Sequence, residues 1–474
     1  MQSNLSILRR YCEEQLNTSH SHALYIGLLV GMIALSDLGM FSVADGVIYA
    51  LAVTVLFPSM APYFLVAICS FQDAAGLSMF WWYAGTVLFG LIVISSWSAN
   101  KGIQALMASR VALPVMAALI VIVYAASISM LQIFLHGHPQ SESRPPLIVG
   151  GLMAWMMFAG VAATFELFRD DRFADRLRWL VLVLVANGLL VAFSKAIFGL
   201  EVFASASGLE QVREATQLIK PSSLGLPRLI GTYLTPNGFA LCYGLLMLLL
   251  LTAKTRVSDA YTIGYALLGG VLALITFSKA MAVFFAVSIL ILIAQSRYAK
   301  YALFVIGTCG LIIVVYLGAG VEWQVLAEAF RVPTGGAGGL GYRSEAWKLV
   351  MQTFTIPDWL FGTGLAYWPI LFEQNLGYSL SDPHTYLLSI PGTYGLLGVM
   401  FYVLMGLRLA GVVKNESGAK AALAFILLIL FFVKDIASIP YLIGNTPLTL
   451  LIWMLIAGTL ISMRDEQAAC DQQP

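Results

Sequence analysis

The sequence predicts an all-α fold, a polytopic integral membrane helical bundle of about 12–14 transmembrane helices with one large loop outside the bilayer. Three observations predict it. Of 474 residues, 59% are hydrophobic and only 11% charged, with a mean hydropathy of +0.85, whereas soluble domains carry about 25% charged residues. Roughly thirteen apolar runs are long enough, or nearly so, to cross about 30 Å of hydrocarbon as helix. Between them lysines and arginines recur in short loops, the pattern of cytoplasmic loops in membrane proteins.

The runs lie near residues 23–41, 47–70, 79–97, 112–135, 147–168, 179–197, 231–253, 258–275, 279–295, 299–318, 385–407, 421–433 and 443–462. They divide the chain into a polar tail (1–22), N-terminal transmembrane helices (23–197), an outer loop (198–230), central helices (231–318), a large outer loop (319–382), C-terminal helices (383–462) and a second tail (463–474). Basic residues mark the inner loops: Arg9 and Arg10, Lys101 and Arg110, Arg169 to Arg178, Lys254 and Arg256, Arg297 and Lys300, Arg408 to Lys420, then Arg464. Both tails are therefore expected in the cytoplasm, which requires an even number of crossings. Pro58 and Pro62 stand where they can split the second run. The runs that meet around Thr276 to Lys279 predict two short helices joined at the outer face.

A net charge of +1 leaves no global field for nucleic acid. Cys69, Cys242 and Cys309 fall in apolar runs and Cys12 and Cys470 in the tails, a spacing that fits neither a disulfide framework nor a zinc site. The first 22 residues are too polar for a cleavable signal, so the first apolar run is expected to direct insertion.

Both large outer loops are basic where the positive-inside trend predicts few cations. The first holds Arg213, Lys220 and Arg228, the second Arg331, Arg343 and Lys348. Cations clustered near helix ends on the far side point to an anion held there.

Three motifs carry this idea. Arg228 precedes Leu229, Ile230 and Gly231, with Pro236 and Asn237 at a helix start; its guanidinium either grips a phosphate in a two-pronged fork or reaches for lipid headgroups. Arg343 follows the glycine-rich stretch Gly335 to Gly341 and opens a helix expected over Ser344 to Phe354, with Ser344 near its N-cap and Glu345 in its first turn. A glycine-rich turn feeding a helix N-terminus suits an anion, yet there is no P-loop lysine and no preceding strand. His384 follows Asp382 and Pro383 at the start of another helix. It is either a general acid or base or an interfacial polar residue.

His20 with His22 and His136 with His138 lack third and fourth ligands nearby, so no metal site is expected. Glu166, Lys195, Lys279, Lys434 and Asp435 lie in or beside apolar runs, where charge is costly. Asp435 is a candidate to orient His384, or a member of a structural ion pair with Lys434. Trp323, Trp347, Trp359, Tyr367 and Trp368 suit either stacking on sugar rings or an interfacial aromatic belt.

Taken together, these residues resemble the bacterial O-antigen ligase and polysaccharide polymerase family. Three features carry the likeness: Arg228 to Gly231 with Thr235, Pro236 and Asn237, followed by Thr276 to Lys279; Arg343, Trp347 and Phe361 to Gly364 in the large outer loop; and His384 followed by Gly395 and Gly398. Thr385 stands where the family pattern has Asn, Ser or Gln, and Lys279 where it has Arg. The likeness spans roughly residues 225 to 400.

The resemblance implies a multi-pass protein of the bacterial inner membrane with its active site facing the periplasm, and outer loops that are therefore periplasmic. It implies transfer of a glycan from undecaprenyl diphosphate to an acceptor hydroxyl, without metal or nucleotide cofactor. Arg228, Arg343 and Lys279 would meet the diphosphate, His384 would be base or phosphate donor, and Asp435, Asn237 and Trp347 would support them. The acceptor is a lipid-linked repeat unit in a polymerase, slightly favoured by Thr385, or lipid A-core in a ligase. Other proteins of polysaccharide assembly are expected partners. A transporter or flippase is the reading of another class, since such a bundle fits that architecture too.

Overall fold

The structure, a computed structural model, describes residues 24–29, 31–32, 43–56, 58–70, 79–136, 146–198, 229, 236–276, 278–296, 307, 340–365, 367–376, 383, 385–432, 442–443 and 447–461. Every regular element among them is helical. In chain order these are α1 (Val43–Leu56), a 3-10 turn (Pro58–Met60), α2 (Ala61–Cys69), α3 (Met79–Ala99), α4 (Gly102–Ala108), α5 (Ala112–His136), α6 (Pro146–Phe168) and α7 (Phe173–Phe198). Then come α8 (Pro236–Thr252), α9 (Asp259–Thr276), α10 (Lys279–Gln295), α11 (Leu340–Thr353), α12 (Ile356–Phe361), α13 (Tyr367–Leu376), α14 (Tyr386–Asn415), α15 (Ala419–Phe432) and α16 (Pro447–Leu460).

Helices α5, α6, α7, α9 and α14 are long and apolar enough to cross a membrane, and α3 with α4, bent through 78°, makes a sixth candidate. Helices α8, α10, α15 and α16 are shorter but apolar. The second apolar run divides into α1, the turn and α2 where Pro58 and Pro62 stand. Pro62 falls in the first turn of α2, where its missing N–H costs no intrahelical bond.

Two helices lie wholly inside. Every residue of α2 is buried, as is every residue of α16 from Leu448 to Leu460. A helix apolar on all sides suits a protein interior or hydrocarbon alike, and packing places these two in the interior. Gly160 of α6 brings that helix against the Leu450 carbonyl and Trp453 of α16. The periphery is apolar too, with Phe134, Leu190, Leu274, Leu290 and Leu407 exposed on five different helices. Such a surface suits acyl chains, and the helices satisfy their own backbone groups, as hydrocarbon demands. This is a membrane-embedded helical protein.

One end of the bundle gathers the cations. Arg110, before α5, meets Glu416, after α14, at 3.8 Å. The Ala419 N–H at the start of α15 donates to the Thr255 carbonyl in the α8–α9 loop, and Lys420 donates to the Ile461 carbonyl after α16. Gly458 of α16 lies against Thr252 of α8 and Phe168 of α6. Beside it, Arg176 of α7 binds Asp170 at 2.7 Å, and the Tyr63 hydroxyl of α2 donates to the same carboxylate at 2.5 Å. Arg169 binds Glu166 at 2.6 Å and the Asn100 carbonyl at 2.7 Å, while Ser96 donates to Glu166. The charge of Glu166, costly in an apolar run, is thus neutralised within the fold. Cys69 and Cys242 are buried.

Candidate functional site

The far end of the bundle is organised by a break in α14. At Gly395 the backbone leaves helical geometry with φ 64, a conformation that glycine adopts without a Cβ clash. A break there deprives the Gly392 and Thr393 carbonyls of donors one turn ahead. The segment after α12 supplies substitutes. The Thr363 N–H donates to Gly392 O at 2.7 Å and the Gly364 N–H to Thr393 O at 3.0 Å, while the Thr363 hydroxyl donates to Gly392 O at 3.0 Å.

Helix α5 holds the same segment from its other side. The Leu365 N–H donates to the Ser129 hydroxyl at 2.6 Å, and the Tyr124 hydroxyl donates to the Phe361 carbonyl at 2.6 Å. Phe361 to Gly364 is therefore a wedge between α5 and α14. From Gly395 to Asn415 the helix runs about 30 Å, the thickness of the hydrocarbon core.

Helices α11 to α13 form a second apolar core over this junction, from Ala346, Val350, Phe354, Trp368, Leu371 and Phe372. The Phe354 and Trp368 rings stack with centroids 5.1 Å apart, and the Trp368 indole donates to the Thr393 hydroxyl at 2.7 Å. Trp368 is 1% exposed, so its ring belongs to this core and offers no face to a sugar. Trp359 and Tyr367 pack on the same core, while Trp323 lies outside the described residues. Burial, and then the nearby Asp358 carboxylate, push the Tyr367 phenol up.

The helix that carries Arg343 begins earlier than its sequence suggests. Helix α11 starts at Leu340, so Arg343 closes its first turn, Ser344 is interior rather than an N-cap, and Glu345 falls in the second turn. A single glycine at 341 costs helix only about 1 kcal/mol, which the following turns outweigh. Leu340, Gly341 and Tyr342 are accordingly among the residues whose backbone N–H groups have no intrahelical acceptor. Trp347 follows Arg343 by one turn, and its indole donates to the Pro383 carbonyl at 2.6 Å.

Of the seven candidate residues, Arg228, His384 and Asp435 lie outside the described residues, as do the side chains of Arg343 and Lys279. Their described neighbours converge on the far end. The Leu229 N–H donates to the Ile275 carbonyl at 3.0 Å, near the end of α9. Lys279 is the first residue of α10, capped by the Ser278 hydroxyl, which accepts from the Met281 N–H at 3.3 Å. Asn237, half-buried, is the second residue of α8. Pro383 is bound by Trp347, and the Tyr386 ring meets Phe432, the last residue of α15, edge-on at 6.3 Å. Asp435 follows three residues later in the sequence.

Sequence reasoning missed Tyr124 and Ser129 of α5, which lie 237 and 236 residues from their partners. The one signal was a pair of polar groups inside an apolar run. Among the described residues no three of His, Cys, Asp and Glu converge as metal ligands would. Compared with protein-family models, with curated proteins and with solved structures, the chain matches none.

Proposed function

We propose that this protein transfers a glycan from undecaprenyl diphosphate to an acceptor hydroxyl at the periplasmic face of a bacterial inner membrane, and that it polymerises repeat units of a surface polysaccharide. In this reading the chain has about 12–14 transmembrane helices, and residues 319–382 form the large periplasmic loop. The observation that carries the proposal is the bond from Trp347 to Pro383. It couples the helix of Arg343 to the residue before His384, two motifs of the family likeness 41 positions apart. The convergence of Leu229 with Ile275 and of Tyr386 with Phe432 supports the same grouping.

The chemistry follows from the residue types. The acceptor oxygen forms a bond to the anomeric carbon as its proton passes to the His384 imidazole. The anomeric C–O bond breaks with its electron pair going to the diphosphate oxygen. Arg228, Arg343 and Lys279 meet that developing charge in a poorly hydrated setting, where fixed cations count most. Asp435, Asn237 and Trp347 hold the arrangement.

The test is a transfer assay with purified protein and an undecaprenyl-diphosphate glycan, offered a second lipid-linked repeat unit or lipid A-core. Laddered chains on the carrier are the expected product. Product on lipid A-core would make the protein a ligase. Neither product with competent donors, together with ion-dependent flux in vesicles, would replace the enzyme by a transporter.

A further inference from the structure

Between α3 and α4 the chain turns through 78° at Asn100 and Lys101, and the turn is stapled. Arg169 holds the Asn100 carbonyl at 2.7 Å and Glu166 at 2.6 Å. Gly102 lies on the Trp97 ring, and Leu106 is buried. Helix α4 consequently runs across the basic end of the bundle rather than along its axis.

The other side of α4 is bare. Ile103 is 56% exposed and Met107 61%, and at one turn's separation they share a face. Cations flank them. Lys101 precedes the helix, exposed and without an ion-pair partner among the described residues. Arg110 follows it with a side chain 56% exposed and only a 3.8 Å contact to Glu416. Glu166 and Asp170, at the same end of the bundle, are engaged by Arg169 and Arg176.

Lys101 is informative for its backbone as well. Its φ of 58 makes it the one non-glycine residue with positive φ among the described residues. Glycine or asparagine occupies such a position with less strain. The lysine side chain makes no capping bond. Local folding therefore gives no reason for a lysine here.

We propose that the α3–α4 elbow binds anionic phospholipid of the surrounding bilayer. Ile103 and Met107 enter the acyl region of the leaflet at the basic end, while Lys101 and Arg110 take the headgroup phosphate. An in-plane apolar face with a cation at each end matches this occupant in both polarity and charge. The inference is independent of the glycan-transfer reading.

The test compares thermal unfolding of the full chain in phosphatidylglycerol and phosphatidylcholine vesicles. Wild type unfolds several degrees higher in phosphatidylglycerol. Lys101→Gly unfolds in phosphatidylcholine at or above the wild-type temperature, because glycine relieves the left-handed strain, yet it loses most of the phosphatidylglycerol increment. Adding Arg110→Gln removes the remainder. A full increment in both variants overturns the proposal. An environment-sensitive fluorophore on Met107→Cys, with the native cysteines replaced by serine, emits blue-shifted light and is quenched by brominated lipid. Emission typical of water, without quenching, also overturns it.

Discussion

The indole N–H of Trp347 donates to the carbonyl oxygen of Pro383 at 2.6 Å, so that α11 is fastened directly to the approach of α14. Trp347→Phe keeps most of the ring and removes the donor. Leaving that carbonyl unpaired costs about 1 kcal/mol of stability at this half-buried position. If the bond also aligns the two motifs, transfer falls by about tenfold or more, because small misplacements are expensive in rate. Unfolding temperature and transfer rate measured on one preparation separate the two effects. A small stability loss with a wild-type rate would leave the bond a purely structural role.

Gly395 accepts no Cβ. An added methyl would lie within 2.6 Å of the Phe361 carbonyl carbon, on a backbone already at positive φ. Gly395→Ala is expected to cost about 2–5 kcal/mol from overpacking and left-handed strain together. Gly411→Ala is the control in the same helix. Nothing lies within 4 Å of its added methyl, so the change stabilises by up to about 1 kcal/mol. Thermal unfolding of both variants, with tryptic cleavage at Lys348 as a reporter of α11 release, checks the contrast.

Asp170 and Glu416 offer a second contrast. The Asp170 carboxylate meets Arg176, which is 4% exposed, and also accepts from Tyr63. Asp170→Asn leaves that guanidinium short of its counter-charge, at an expected cost of about 3–5 kcal/mol. Glu416→Gln removes an exposed 3.8 Å pair with Arg110 and is expected to cost about 0–1 kcal/mol. Equal unfolding temperatures for the two variants would contradict the ranking.

Arg228→Ala, Arg343→Ala and His384→Ala test the proposed chemistry one residue at a time. Each is expected to insert normally and to lose transfer by about a hundredfold or more, the scale of removing a charge-stabilising group or a proton acceptor. Normal glycan output from both arginine variants would eliminate the diphosphate clamp. Full activity of the histidine variant across pH would eliminate the base.

Much of the architecture was legible because it depends on local properties. Proline's missing N–H located the break between α1 and α2. The start of α11 was harder to read, since a glycine-rich stretch that ends in Leu340, Gly341 and Tyr342 carries no strong cap. The aromatic residues of the outer segment left two uses open. Packing decided for Trp368, whose stack on Phe354 and bond to Thr393 place it inside.

By itself the sequence determined that this is a membrane-embedded helical protein, because hydrocarbon demands long apolar segments that satisfy their own backbone bonds. Only the tertiary structure decided that Phe361 to Gly364 mends a break in α14, that Tyr124 and Ser129 clasp it, and that Tyr63 reaches Asp170 across 107 positions. The physical reason is the same in each case. Apolarity and helix period are written into consecutive residues, whereas the partner of a broken carbonyl or a buried carboxylate is chosen by whatever the folded chain brings within 3 Å.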